Sequence, residues 1–166
     1  LLPDIPRGSL DVVLGALAEC GLPVSEERWA GHLVVCTGRE FCNKAIAETK
    51  AVAARLLDAL ESDLPGAPVT LRMSGCPNGC GQHPLGDIGF SGAAVKGEAG
   101  MEERFDVWVG GGPSTVEPAF GRRIRSKVPP ADLPAVVTEL VGRYRAEAAA
   151  GESFTDFARR ILWAEA

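Results

Sequence analysis

The chain has 166 residues, 17.4 kDa and 46% hydrophobic content, enough for one domain with a real core. Its formal net charge of −5 argues against nucleic acid as a general partner. No apolar run approaches the roughly 18 residues of a membrane span and no charged-then-apolar leader opens the chain; with Leu rather than Met at position 1, it reads as a fragment or excised domain.

Leu1-Leu2-Pro3-Asp4-Ile5-Pro6 reads as the tail of a strand, stopped by its two prolines. Ser9 is placed to cap a helix whose apolar positions Leu10, Val13, Leu14 and Leu17 follow the 3.6-residue period, with Gly21 as its stop. Cys20, at that helix's end, reads as a small buried or half-buried hydrophobe. Residues 32–36, His-Leu-Val-Val-Cys, predict a buried strand. Residues 41–61 predict a helix with Ile46, Thr49, Ala53, Leu56, Leu57 and Leu60 on its apolar face. After Pro65-Gly66, residues 69–73 predict a second strand. Strand, helix, strand is a βαβ unit, which makes the two strands parallel and puts their C-terminal ends at one edge of the sheet.

Residues 82–91 read as a turn, with His83 exposed before a proline, followed by a strand from Ile88. A charged loop over residues 96–103 then leads to an alternating strand with Phe105, Val107 and Val109 on one face, making a hairpin. Gly110-Gly111-Gly112-Pro113 could admit a cofactor or simply turn, but it lacks the spacing and following helix of a dinucleotide site. Arg122, Arg123, Arg125 and Lys127 form the one dense basic stretch, suited to an acidic partner or to solvent. Asp132 is placed to cap a helix with Leu133, Val136, Val137, Leu140, Val141 and Tyr144 as its stripe. Ser153-Phe154-Thr155-Asp156 resembles a capping box with Asp in place of Glu, opening a last helix through Leu162.

Four of the five cysteines form the pattern C-x5-C, thirty-three residues, C-x3-C: Cys36 and Cys42, then Cys76 and Cys80. Thiolates are soft ligands, and four of them suit an iron–sulfur cluster or tetrahedral zinc. C-x5-C is wider than the usual zinc knuckle, while two small disulfide loops remain a third reading. Both pairs begin just past the ends of the two predicted strands, so parallel neighbours about 4.8 Å apart would bring the thiols together. Cys42 is expected in the first turn of the long helix, where free N–H groups favour an anionic sulfur.

The segments Cys36-Thr37-Gly38-Arg39-Glu40-Phe41-Cys42-Asn43-Lys44-Ala45-Ile46-Ala47-Glu48-Thr49-Lys50 and Met73-Ser74-Gly75-Cys76-Pro77-Asn78-Gly79-Cys80-Gly81-Gln82 resemble the cluster segment of sirohaem-dependent nitrite and sulfite reductases. The Thr-Gly-x-x-Phe-Cys form and the trailing Glu-Thr-Lys are most similar to ferredoxin-nitrite reductases. The resemblance implies an α+β fold, a mixed β-sheet containing a βαβ unit and flanked by helices. It implies residues 1–30 as a connecting segment from a preceding half and residues 31–166 as the sirohaem and [4Fe-4S] domain. It further implies that Cys36, Cys42, Cys76 and Cys80 hold the cluster and that Cys80 also bridges to the sirohaem iron; Asn78, in the loop beside that bridge, is the candidate to donate to a cluster sulfur or a sirohaem carboxylate. The substrate-binding arginines and lysines would come from the amino-terminal half, so no catalytic residue is assigned here and this chain alone is expected to be inactive. Nitrite reduction to ammonia in nitrate assimilation, with ferredoxin or another electron donor in the cytoplasm, is the implied role. Sulfite reductase and precorrin-3B synthase share the cysteine pattern, and a non-catalytic zinc or iron–sulfur module is the alternative of a different class.

Overall fold

The computed structural model describes residues 4–22, 24, 29–64, 66, 69–98, 100–112 and 118–166. Helix α1 (Leu10–Glu19) stops as its sequence predicts: Gly21 takes φ +72° and the Leu22 N–H donates back to the Leu17 carbonyl. Its start differs from expectation. Ser9 closes a short 3₁₀ turn, Arg7–Ser9, and its side chain makes no cap bond. None of the residues of α1 is buried, and Cys20 is exposed rather than covered, because the apolar stripe itself stays open, with Leu10 and Leu14 both exposed. Of the strand tail expected over Leu1 to Pro6, the first three residues lie outside the described ones.

The predicted βαβ unit is present: β1 (Leu33–Val35), α2 (Lys50–Asp63) and β2 (Leu71–Ser74), with β1 and β2 parallel and Val35 opposite Met73. His32 belongs to the 3₁₀ turn Trp29–His32 before the strand. The indole Nε1–H of buried Trp29 donates to the Leu64 carbonyl just past α2, tying the entry of β1 to the exit of the helix. Pro65 lies outside the described residues.

Strand β3 (Ile88–Gly97) runs parallel to β2, and β4 (Gly100–Val109) and β5 (Arg122–Val128) follow antiparallel, giving the order β1-β2-β3-β4-β5. The hairpin strands run further than the sequence pattern indicates, since the segment read as a charged loop continues the ladder out to Gly97 opposite Gly100. Beyond the helices both faces of that ladder meet water, so its residues carry no alternation to read.

Register puts Leu71, Met73, Ile88, Phe90, Phe105, Val107 and Val109 on one face, all fully buried. Against it lie Val52, Ala53, Leu56 and Leu60 of α2 and the apolar stripe of α3 (Leu133–Glu147), in one continuous cluster. Burial of this kind stabilises by about 1.5–3 kcal/mol per large side chain. Asp132 ends a 3₁₀ turn and makes no side-chain cap bond, against expectation. The Ser153 cap is realised: its Oγ accepts from the Asp156 N–H at 3.1 Å and donates to the Asp156 carboxylate at 2.8 Å, opening α4 (Phe154–Phe157), which runs on as a π turn over Ala158–Leu162. The fold is α+β, a mixed sheet with a βαβ unit and flanking helices.

Candidate functional site

Cys36 follows β1 directly and Cys76 stands two residues past β2, so the parallel pairing brings the two cysteine segments together at one sheet edge. The Cys36 N–H donates to the Met73 carbonyl at 3.0 Å, extending the β1–β2 ladder into the first cysteine. In return the Gly75 N–H points at Cys36 Sγ, 3.1 Å away. An N–H directed at a ligand sulfur is one of the levers that set the potential of a bound cluster.

Of the helix predicted over residues 41–61, residues 41–49 are loop and α2 begins only at Lys50, so Cys42 does not lie in its first turn. The reason is tertiary. The N–H groups of Ile46 and Ala47 both donate to the Gly75 carbonyl, at 2.8 and 2.9 Å, and amides bonded across to another segment cannot close helical turns. Glu48 then fixes the loop's return: its carboxylate accepts from the N–H groups of Glu40, Thr49 and Lys50, while its own N–H donates to Glu103. Burial would raise the Glu48 pKa, but the backbone donors at Glu40, Lys50, Thr49 and Ala51 outweigh it and hold the carboxyl below its usual value. Arg39 pairs with Glu103 at 2.7 Å, and the Thr49 hydroxyl donates to the Cys36 carbonyl at 2.8 Å.

The second pair rides on a tight turn in which Gly79 adopts φ +73°, a conformation open to glycine at no steric cost. Cys36, Cys42, Cys76, Cys80 and Asn78 all line one cavity of about 380 Å³, together with Phe41, Lys44 and Ser74. A water occupies about 30 Å³, so the space admits a cofactor of many atoms. None of the five cysteines is paired in a disulfide. Among the described residues no three Cys, His, Asp or Glu side chains are grouped as ligands of a single metal ion. Four thiols spread around a roomy cavity are a donor set that fits a cluster.

Residues 31–165 match the family model described as the nitrite and sulphite reductase 4Fe-4S domain. The chain belongs to this family. It is 36% identical, over 96% of its length, to sulfite reductase [ferredoxin] 2 of Mycolicibacterium paratuberculosis, and 34% identical over 93% to the assimilatory ferredoxin-dependent nitrite reductase of Haloferax mediterranei. Its fold matches the NirA protein of Mycobacterium tuberculosis with a TM-score of 0.77 and 32% identity, over 95% of this chain and 30% of that one. The chain spans less than a third of the length of these curated relatives, 30% of the first and 27% of the second. Members of the family are oxidoreductases, and no helix of the described residues is long and apolar enough to cross a membrane.

Three further features that the sequence offered as candidates take their place in the fold. His83, read as exposed, is buried at 4% exposure, because the turn that carries it lies flat on β3. Burial lowers its pKa, with the charge of Asp106 acting in the opposite direction. The ring does not line the cavity; Ser74, bonded to it, does. The glycine run at 110–112 serves the fold, since a Cβ on Gly111 would lie 2.0 Å from the Pro84 carbonyl oxygen and one on Gly112 would lie 2.4 Å from the Asp87 carboxylate; Pro113 lies outside the described residues. The basic stretch occupies β5, the sheet edge opposite β1. There Arg123 pairs with Asp106 at 2.9 Å, Arg125 pairs with Glu139, and Arg122 stacks on Trp163 at 4.5 Å. Three of its four charges thus have partners inside the domain.

Proposed function

We propose that Cys36, Cys42, Cys76 and Cys80 hold a [4Fe-4S] cluster in the cavity they line, and that this chain is the cluster- and sirohaem-binding part of an assimilatory nitrite reductase. The observation that carries the reading is the gathering of all four thiols around one cavity, with the Gly75 N–H aimed at Cys36 Sγ. When bound, the cluster would supply electrons one at a time, and sirohaem the site of six-electron reduction of nitrite to ammonia. The chain's own residues hold and orient. Cys76 is buried, Cys36 and Cys42 are half-buried, and Cys80 is exposed. That exposure would leave Cys80 accessible to sirohaem as well as to the cluster. Asn78, also exposed within the turn, supplies an amide that can donate to a cluster sulfur or a sirohaem carboxylate. The chain covers 30% and 27% of the lengths of the two relatives above, and on this proposal the substrate-binding residues lie in the remainder of the enzyme and this chain alone is inactive. Ferredoxin, named for both relatives above, is the proposed donor.

Sulfite is the second reading, favoured by the 36% identity to a sulfite reductase. Iron and acid-labile sulfide in matching amounts in anaerobically prepared protein, lost on Cys→Ser change at any of the four positions, is the expected result. Stoichiometric zinc without sulfide would overturn the cluster. Oxidation of reduced viologen by the full-length enzyme with nitrite and with sulfite then assigns the substrate, and turnover by the 166-residue chain alone would refute its inactivity.

A further inference from the structure

The turn that carries Cys76 and Cys80 is pinned at both ends by one hydroxyl. Ser74 stands two residues before Cys76 and is 1% exposed; its Oγ accepts from the N–H of Gly81, one residue after Cys80, at 3.1 Å. The same oxygen lies 3.1 Å from Nδ1 of His83. A hydroxyl offers one proton and two lone pairs, so Gly81 and His83 together occupy two of its three bonding positions and stop it from rotating.

His83 is itself held from several sides. Its backbone rests directly on β3, where a Cβ on Gly89 would stand 2.0 Å from the His83 carbonyl oxygen. Its ring meets Trp108 edge-on, with centroids 5.4 Å apart and planes at 61°. Beneath the apex of the turn, a Cβ on Gly79 would be 3.8 Å from the ring's Cε1. Gln82 enters this arrangement at φ +56°, with its N–H donating to the Gly79 carbonyl at 2.7 Å and its side chain accepting from Arg72 at 2.7 Å. The imidazole therefore joins β2, β4 and the turn at a point just behind the cavity wall.

We propose that His83 is a positioning residue: through Ser74 it fixes the return leg of the 76–80 turn, and with it the direction in which Cys80 is presented to the cofactor. The proposal rests on the reading that the four cysteines hold the cluster. His83 reaches the site only through Ser74, so its effect is on the rigidity and orientation of the ligand turn.

The test uses the full-length enzyme, prepared anaerobically with its cofactors, as wild type, His83→Asn, His83→Leu and Ser74→Ala. Asparagine places an amide near the position of Nδ1, whereas leucine fills comparable volume with no polar atom. Two quantities are read: the rate of iron loss to a chelator and the electron paramagnetic resonance spectrum of the reduced cluster. His83→Leu and Ser74→Ala are expected to release iron about tenfold faster and to change the line shape, with His83→Asn within about twofold of wild type. If His83→Leu matches wild type, or if His83→Asn fails as badly as His83→Leu, the hydrogen-bond role is overturned. Should His83→Leu not fold, His83→Gln takes its place, since its amide lies near the position of Nε2 rather than Nδ1: fast iron loss is then expected, and a wild-type rate would overturn the role. Wild-type protein lacking iron and sulfide would overturn the cluster reading itself, a result visible before any variant is compared.

Discussion

Gly92 lies on β3, far along the chain from any cysteine, yet the structure makes it a support of the site. A Cβ added there would lie 2.2 Å from the Gly75 carbonyl oxygen and 3.0 Å from Ala47 Cβ. The first distance is about 1 Å short of ordinary van der Waals contact, and the obstacle is backbone rather than a side chain that could swing away. That same carbonyl accepts from Ile46 and Ala47 and so joins the two cysteine segments. Displacing it loses about half of each of two hydrogen bonds worth about 1 kcal/mol apiece, about 1 kcal/mol together, and adds an overpacking cost of about 1–3 kcal/mol, so Gly92→Ala should destabilise by about 2–4 kcal/mol. Gly92 does not have a positive φ, which leaves steric conflict as the cause. Urea denaturation measures the loss, expected as a midpoint about 1–2 M lower. Gly142→Ala is the control: nothing lies within 4 Å of its Cβ position, and on α3 it should gain up to about 1 kcal/mol from helix propensity. A Gly92→Ala protein unfolding within about 0.5 kcal/mol of wild type would refute the reasoning, since that is the scale of a neutral surface change.

Glu48 has a folded-state pKa below its ordinary value of 4.5, so the stability it contributes is present above that pH and is lost as pH falls through the folded pKa; Glu48→Gln should flatten this acid limb in a stability-versus-pH series. Asp87, buried, accepts from the Thr70 N–H and hydroxyl, both at 2.8 Å, and from the Thr155 hydroxyl, joining the start of β3 to β2 and α4. Asp87→Leu strands those donors and should cost about 1–3 kcal/mol for each one left unpaired, read as a lowered thermal midpoint. Cys20→Ser should leave iron content unchanged, because Cys20 is exposed at the end of α1 and does not line the cavity.

What could be read from the residues was the part governed by local pattern. Two short β-branched runs separated by a helical stretch implied β1, α2 and β2, and their parallel pairing put Cys36 beside Gly75, the residue before Cys76. Ser153 and Asp156 announced their helix start because a capping interaction spans only three residues. The failures have a common physical origin in contacts between distant segments. Ile46 and Thr49 continue the apolar period of α2, but the amides at 46 and 47 are taken by Gly75, a partner that only the folded sheet supplies. His83 before a proline reads as a surface turn, and its burial depends on Gly89 leaving room for its backbone on β3. Asp132 had a capping residue's identity without the geometry, because a 3₁₀ turn already occupies the helix start.

The arrangement separates the fold's stability from the site's assembly. The apolar cluster lies between one face of the sheet and the helices α2 and α3, whereas the cysteine loops emerge from the C-terminal ends of β1 and β2. Those loops are tied by bonds between protein groups: Cys36 to Met73, Gly75 to Cys36, Ile46 and Ala47 to Gly75, and Gly81 and His83 to Ser74. In a small zinc module the metal supplies the folding energy, because too little apolar surface is buried without it. Here a continuous apolar core and hydrogen bonds between protein groups hold the loops that carry Cys36 and Cys76 against each other.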